Sequence, residues 1–372
     1  MGYEGYKKSA QELLDKAEIK INGSNPWDIK VHNKNFYKRV LAGGSLALGE
    51  SYMDGWWDCE RLDQFFEKLL SANLDKEVWG VKMIWHVFKS KVFNLQKLSR
   101  AYEVGEKHYD LGNDLFELML DDRMVYSCGY WKNTEDLNKA QEQKLDLICR
   151  KLKLKKGMRV LDIGCGWGSF AKYAAKNYGV EVVGITISKE QAKSIRENCK
   201  DLPVEVRLQD YREIDEKFDR VLSIGMFEHV GYKNYRSYME AVDRCLKDDG
   251  LTLIHTIGKH DKEGGTDPWI EKYIFPNGVI PYAGKILESA EDHFVLEDWH
   301  NFGLYYDYTL MAWHKNFIDN WDKIKDKYGD RFYRMWVYYL LSCAGAFRSR
   351  KLQLWQVVFS KEEFREVYGG VR

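Results

Sequence analysis

The chain has 372 residues, 45% of them hydrophobic and 31% charged. That is enough apolar material for roughly two domains with proper cores, and it excludes wholesale disorder. Its 57 basic residues balance 57 acidic ones, so there is no general field for polyanions and nucleic acid is not an expected partner. No apolar run reaches the roughly 18 residues that would span a bilayer. The seven cysteines are scattered with no C-x-x-C pair, which reads as reduced thiols in a cytoplasm. Aromatic residues make up 15% of the chain, a share that suits a core and also a pocket for a long apolar ligand or a cation.

Residues 1–77 read as a small, mostly helical N-terminal domain. Leu13, Leu14 and Ala17, then Leu62, Phe65, Phe66, Leu69 and Leu70, recur at helical spacing. Residues 78–102 form a basic amphipathic linker that holds Lys82, Lys89, Lys91, Lys97 and Arg100 and no acidic residue. Val81, Ile84, Phe88, Val92, Leu95, Leu98 and Tyr102 fall on one stripe, while Trp79, Trp85, Val87 and Phe93 lie outside it. The surplus needs a second surface. A membrane interface and a helix packed on both sides each supply one, and the two are compatible.

Residues 103–372 read as one catalytic-sized domain. From about residue 158 strands and helices alternate. Strands are expected at 160–163, 182–186, 204–208, 220–224 and 251–257, with helices at 169–176, 189–198 and 235–246. Short apolar strands separated by helices predict an α/β fold with a parallel, doubly wound sheet. Gly258, Gly264, Gly265, Pro268, Pro276 and Pro281 then break the rhythm, as expected of a long insertion over the carboxyl edge of the sheet, where ligands bind. Late strands at 294–299 and 354–359 flank helices at 309–321 and 331–346.

The strongest local signal is the run from Val160 to Gly168, a strand entering a glycine turn and then a helix. Such glycines let a ligand approach the backbone and the helix N-terminus. The spacing is G-x-G-x-G, not the dinucleotide G-x-G-x-x-G, and the second strand ends without a carboxylate for a ribose. With Asp162 before the first glycine, the turn looks like that of S-adenosylmethionine methyltransferases. Asp210, at the end of the third strand, reads either as an acceptor for an adenine amine beside Tyr211 or as a helix N-cap. Glu228 follows the fourth strand in an apolar string, either as a surface carboxylate or as a buried one facing a cation such as a sulfonium. His255 in the fifth strand is a core histidine by itself, and its place beside Glu228 makes it a site candidate. Cys128 reads as a nucleophile or as a small buried apolar residue. No metal-ligand spacing or hydrolase elbow is present.

These segments together resemble the cyclopropane-fatty-acyl-phospholipid synthases, relatives of the mycolic acid cyclopropane synthases. The matching strings include HYDLGNDLF at 108–116, YSCGYW at 126–131, LDIGCGWG at 161–168, GITISKEQ at 184–191, QDYR at 209–212, GMFEHVG at 225–231, HTIG at 255–258 and DPWIEKYIFPNG at 267–278. INGSNPWDI at 21–29 and GESYMDGWWDC at 49–59 extend the likeness into the N-terminal domain, which the mycolic acid enzymes lack, and favour the phospholipid-acting branch.

The resemblance implies a Rossmann-like S-adenosylmethionine methyltransferase sheet behind an N-terminal lipid-binding and dimerisation domain. It implies transfer of a methylene from S-adenosylmethionine to the cis double bond of an unsaturated phospholipid acyl chain, through a carbocation, with bound bicarbonate as general base. The base site maps onto Cys128, Glu228, His255, Tyr306 and the Ile257 backbone. The donor site maps onto Tyr126, Ser127, Gly164, Thr186, Gln191, Asp210 and Tyr211, to which the glycine turn adds Asp162 and Gly166. Methylation of the same double bond without ring closure is the alternative. A homodimer, cytoplasmic and peripherally bound to the inner leaflet, is expected from the same resemblance.

Basic residues near an anionic leaflet contribute about 1 kcal/mol each. Replacing Lys82, Lys89, Lys91, Lys97 and Arg100 by Gln is therefore expected to weaken salt-sensitive binding to anionic vesicles while donor binding persists. Vesicle cosedimentation checks this, and unchanged sedimentation of a folded variant would place the membrane contact elsewhere, around residues 258–282.

Overall fold

The structure, a computed structural model, describes residues 2–75, 112–262 and 265–372. The basic stretch 78–102 lies outside the described residues. In chain order the helices are α1 (Tyr3–Asp15), α2 (Phe36–Met53), α3 (Leu62–Ser71), α4 (Asn113–Met119), α5 (Leu137–Lys151), α6 (Ser169–Tyr178), α7 (Lys189–Asn198), α8 (Tyr235–Cys245), α9 (Pro268–Tyr273), α10 (Ala283–Ala290), α11 (Leu304–Asn320), α12 (Lys325–Tyr328) and α13 (Asp330–Arg348). Seven strands build the main sheet: β1 (Arg159–Ile163), β2 (Glu181–Thr186), β3 (Val204–Leu208), β4 (Phe218–Ile224), β5 (Leu246–Lys259), β6 (Val295–Asn301) and β7 (Leu352–Ser360).

Their order across the sheet is β3-β2-β1-β4-β5-β7-β6. The first five run parallel, and β6 pairs antiparallel with β7. The order reverses at β1, so the carboxyl ends of β1 and β4 flank the crevice where open α/β sheets bind ligands. Strand alternation divides the two faces. Leu161, Ile163, Val183, Ile185, Val221 and Ile254 pack with Tyr238, Met239 and Val242 of α8 and Ile286 of α10. Val160, Val182, Leu222, Leu251 and Leu253 pack with Leu145 and Ile148 of α5 and Phe170 and Ala174 of α6. Asp162 and His255 share the parity of this second set, so both point to the α5 side of the sheet.

The contacts divide the described chain into two compact units. One comprises residues 2–75, 265–276 and 306–352; the other, 112–262, 277–305 and 353–372, contains the sheet. The helical unit is therefore assembled from three stretches of chain. α13 crosses α3 at Gly345, where a Cβ would stand 2.6 Å from the Phe66 Cβ, so only glycine lets the helices approach this closely. Trp269 of α9 is fully buried, donates to the Met53 sulfur at 3.3 Å and lies 4.5 Å from the Tyr338 ring.

Charge holds this unit together as well. Arg348 at the end of α13 donates to both Asp307 oxygens at 2.8 Å and to Asp63 of α3 at 2.7 Å, and Arg61 also pairs with Asp63. Burial alone would raise the Asp63 pKa; hydrogen bonds from Arg61 and Arg348 outweigh it and hold the carboxyl below its usual range. Asp63 keeps Arg61, but Asp307 is buried as well, so removing Arg348 strands its negative charge. Arg348→Met is expected to cost about 3 kcal/mol, read by urea unfolding, and Asp307→Asn in that background should recover part of the loss.

Candidate active site

The glycine turn after β1 is a chain of left-handed residues. Gly164, Gly166 and Gly168 have φ of 77°, 54° and 82°, a region that disfavours side chains. Gly164 and Cys165 both donate to the Ile185 carbonyl, at 3.0 and 3.1 Å, which ties the turn to β2. A Cβ on Gly164 would stand 2.7 Å from Met226 Cγ and one on Gly168 2.9 Å from Ile195, whereas one on Gly166 would meet nothing within 4 Å. Gly166 is thus the point where the turn exposes bare backbone to open space.

At the end of β2 the Thr186 hydroxyl donates to Gln191 Oε1 at 2.8 Å and accepts from the Ser188 N–H at 3.1 Å. Ser188 caps α7, accepting from the Gln191 N–H at 3.3 Å. Gln191 Nε2 remains buried without a partner. Beyond β3, Asp210 caps a short helical turn, accepting from the Arg212 N–H at 3.0 Å, and the Arg212 guanidinium grips it at 2.7 and 2.8 Å. The capping reading of Asp210 therefore describes this structure, and an adenine amine would share the carboxylate with Arg212. Tyr211 is buried beside the Tyr238 ring.

Tyr126, Ser127 and Cys128 form a segment held by α5. The Tyr126 ring meets Phe116 edge-on at 5.2 Å. Gln141 Nε2 donates to the Ser127 carbonyl at 2.8 Å, and Lys144 Nζ donates to the Ser127 hydroxyl at 2.9 Å. Cys128 is fully buried and its thiol donates to the Gly129 carbonyl at 3.3 Å. Asp162, directly under the glycine turn, is pushed up to about 7 by burial, against the opposing pull of Lys144.

Glu228 is bonded to the end of β5, and His255 lies within that strand. The Ile257 N–H donates to Glu228 Oε1 at 2.7 Å, while Glu228 Oε2 is buried without a partner. The Ile257 N–H thus serves the site by fixing Glu228. Burial pushes the Glu228 carboxyl up to about 7 despite that hydrogen bond. His255 is 1% exposed, and desolvation followed by Lys144 and Lys151 drives it well below its usual range, so it is neutral. Gln356 Nε2 of β7 stands 3.3 Å from His255 Nδ1. With the amide donating there, the imidazole proton sits on Nε2, which is buried and unpartnered. Tyr306 belongs to the helical unit, where its ring stacks on Phe347 at 4.5 Å beside the Asp307–Arg348 pair.

Sequence reasoning did not single out Gln141, Lys144 or Gln356. A signal for the first two existed: Leu137, Gln141, Lys144, Ile148 and Lys151 fall on one helical stripe, and polar residues on a buried stripe mark a site or a network.

Residues 96–357 match the family model "Mycolic acid cyclopropane synthetase". The cyclopropane-fatty-acyl-phospholipid synthase of Escherichia coli K12 is 56% identical over 370 residues, covering 99% of this chain and 96% of that protein. A sphingolipid C9-methyltransferase of Komagataella phaffii is 33% identical, over 71% of this chain and 58% of its own length. Among solved structures, mycolic acid cyclopropane synthase CmaA1 complexed with SAH and CTAB superposes with a TM-score of 0.66 and 32% identity, over 70% of this chain and 98% of that one. The match to the family model and to a relative along nearly the whole chain places this protein in the mycolic acid cyclopropane synthetase family, to which the cyclopropane-fatty-acyl-phospholipid synthases belong.

Proposed function

We propose that the protein transfers a methylene from S-adenosylmethionine to the cis double bond of an unsaturated acyl chain in a membrane phospholipid, closing a cyclopropane ring. The observation that carries this reading is the pair of buried, unpartnered atoms Glu228 Oε2 and His255 Nε2, on a chain whose 56% identical relative is named for that reaction. The shorter and weaker likeness to a sphingolipid C9-methyltransferase leaves methylation without ring closure as the alternative. Mass spectrometry of lipids from cells expressing the protein separates the two: a gain of CH2 with loss of the olefin is ring closure, and a methyl branch with the olefin retained is not.

The chemistry requires a methyl carbon to pass from sulfur to an alkene carbon, a cationic chain to persist without water, and one proton to leave the former methyl as the ring closes. A buried site answers the second need. For the third, the polar atoms fit a small oxyanion that itself carries a proton: His255 Nε2–H offers a donor and Glu228 Oε2 an acceptor. Bicarbonate, when bound, supplies there a base too weak as a nucleophile to be alkylated. Glu228 and His255 would hold it, with Cys128 enclosing the space. Tyr306 enters this set on the family resemblance alone.

On the same reading, Gly166, Gln191 Nε2 and Ser127 receive the donor. Residues 1–77 bind lipid and dimerise ahead of the catalytic domain, so that the protein works as a homodimer at the membrane surface. The relative named as acting on phospholipid matches across this region, while the family model begins at residue 96.

Gly166→Ala is expected to fold with a loss of roughly 1–2 kcal/mol, the cost of a side chain in the left-handed region, yet to bind S-adenosylmethionine far more weakly. Calorimetry on the folded variant checks this; unchanged affinity would remove the turn from the donor site.

Glu228→Gln keeps an acceptor for the Ile257 N–H but loses the negative charge. Turnover is expected to fall at least about 100-fold with donor affinity retained. Stability should move the other way. A carboxyl raised in the fold to about 7 stabilises fully only below its unfolded pKa, and that contribution is lost as pH rises through 7. The variant should therefore melt above the wild type at pH 8, with the gap closing toward pH 5. Near-wild-type turnover would sink the base site.

A further inference from the structure

Two lysines on one stripe of α5, Lys144 and Lys151, are 0% exposed. Lys151 has a carboxylate partner, Asp298 at 2.9 Å, which Arg372 also grips. Lys144 has none. Among the described residues its single hydrogen-bond acceptor is the Ser127 hydroxyl, at 2.9 Å. Asp121 and Asp162 are near enough to favour its charge, but Asp121 is occupied by the N–H groups of Arg123 and Val125 at 3.2 and 2.8 Å. A buried ammonium without a close counter-ion is costly, and burial pulls Lys144 down to about 8, still charged at neutral pH.

The consequence falls on Ser127. An ammonium only donates, so the Ser127 oxygen accepts and its own proton points away from Lys144. Gln141 fixes the carbonyl of the same residue at 2.8 Å. The carbonyl and the hydroxyl of Ser127 are thus both locked from α5, and its O–H becomes a donor strengthened by the positive charge behind it. Such a donor selects an anionic acceptor. Asp162 nearby has no hydrogen-bonded partner among the described residues and is itself nearly fully buried. An ammonium-backed hydroxyl complements the carboxylate of an α-amino acid. S-adenosylmethionine carries one carboxylate, at its amino-acid end.

We propose that Lys144 is a positioning residue that acts through Ser127 to bind the carboxylate of the methyl donor, making the enzyme selective for sulfonium donors that retain it. The inference rests on the reading that S-adenosylmethionine is the donor. It assigns to α5, which lies behind the glycine turn, the recognition of one end of that molecule.

The test is calorimetry on the full chain with S-adenosylmethionine and with its decarboxylated analogue, in which the carboxylate is replaced by hydrogen. The wild type should bind the complete donor on the order of 10- to 100-fold more tightly than the analogue. Lys144→Met should lose most of that preference through weaker binding of the complete donor, with affinity for the analogue unchanged within about twofold. Ser127→Ala, which leaves α5 untouched, should show the same selective loss, so the proposal is tested even if Lys144→Met fails to fold. An equal loss for both ligands in either variant would make Lys144 a structural brace only and overturn the proposal. So would a wild type that binds the two ligands equally, although the donor reading would then stand. A wild type that binds neither ligand would sink the donor reading itself and this inference with it.

Discussion

Burial of polar atoms without full compensation is the constraint on which the site depends. Glu228 has one oxygen satisfied by the Ile257 N–H and one left alone; His255 has Nδ1 beside Gln356 and Nε2 alone; Gln191 has Oε1 bonded to Thr186 and Nε2 alone. In each case one polar atom of the side chain is fixed by the fold and the other is left over. An unsatisfied buried group costs about 1–3 kcal/mol. The fold tolerates these because each anchor is backbone or a side chain of a packed strand or helix. The 2.7 Å bond from β5 to Glu228 is the strictest of them: it sets which oxygen remains for a ligand.

The sheet was legible because its inner strands are short runs of Val, Ile and Leu bounded by charge or glycine. Expected and observed strands agree within a residue or two from β1 to β4. β5 is longer than its apolar run, starting at Leu246 where 251 was expected, because its first turn carries the exposed Lys247, Asp248 and Asp249 and reads as a loop. α11 starts at Leu304 where 309 was expected, since Tyr305, Tyr306 and Asp307 carry no apolar periodicity of their own. The grouping of residues 306–352 with α2 and α3 had no local signal. It follows from contacts such as Gly345 against Phe66 and Arg348 against Asp63, and a pattern read along one stretch of chain does not reveal its distant partner.

The site was legible where chemistry forces a residue type. Three glycines at positive φ and a carboxylate in an apolar string are unusual enough to be noticed. Lys144, Gln141 and Gln356 were missed because a lysine or glutamine on a helix or strand is ordinarily read as solvated surface. Asp210 shows the converse. Its position allowed two roles, and the structure shows the cap, with the Arg212 guanidinium on the same carboxylate.

A protein that holds an activated methyl group must also keep its own nucleophiles from taking it. Cys165 lies inside the glycine turn, and burial first, then the nearby Asp162 carboxylate, raises its thiol well above the usual range. Lys144 is moved the other way by burial, but Asp121, Cys128 and Asp162 oppose that shift and hold the amine near 8, so that most of it is protonated, without a lone pair, at neutral pH. Asp162 thus acts in one direction on both groups: it keeps a proton on sulfur and a proton on nitrogen. Low dielectric alone would protect the cysteine and expose the lysine. When ionised, Asp162 beneath the glycine turn protects both, which gives this residue a physical role beyond shaping the turn. The same logic excludes a basic side chain as the proton acceptor: a neutral amine or a thiolate strong enough to take the proton would first take the methyl group. On the proposed reading the base is weak and oxygen-centred, and Glu228 and His255 are among the buried side chains, in the described residues, with an atom left to hold one.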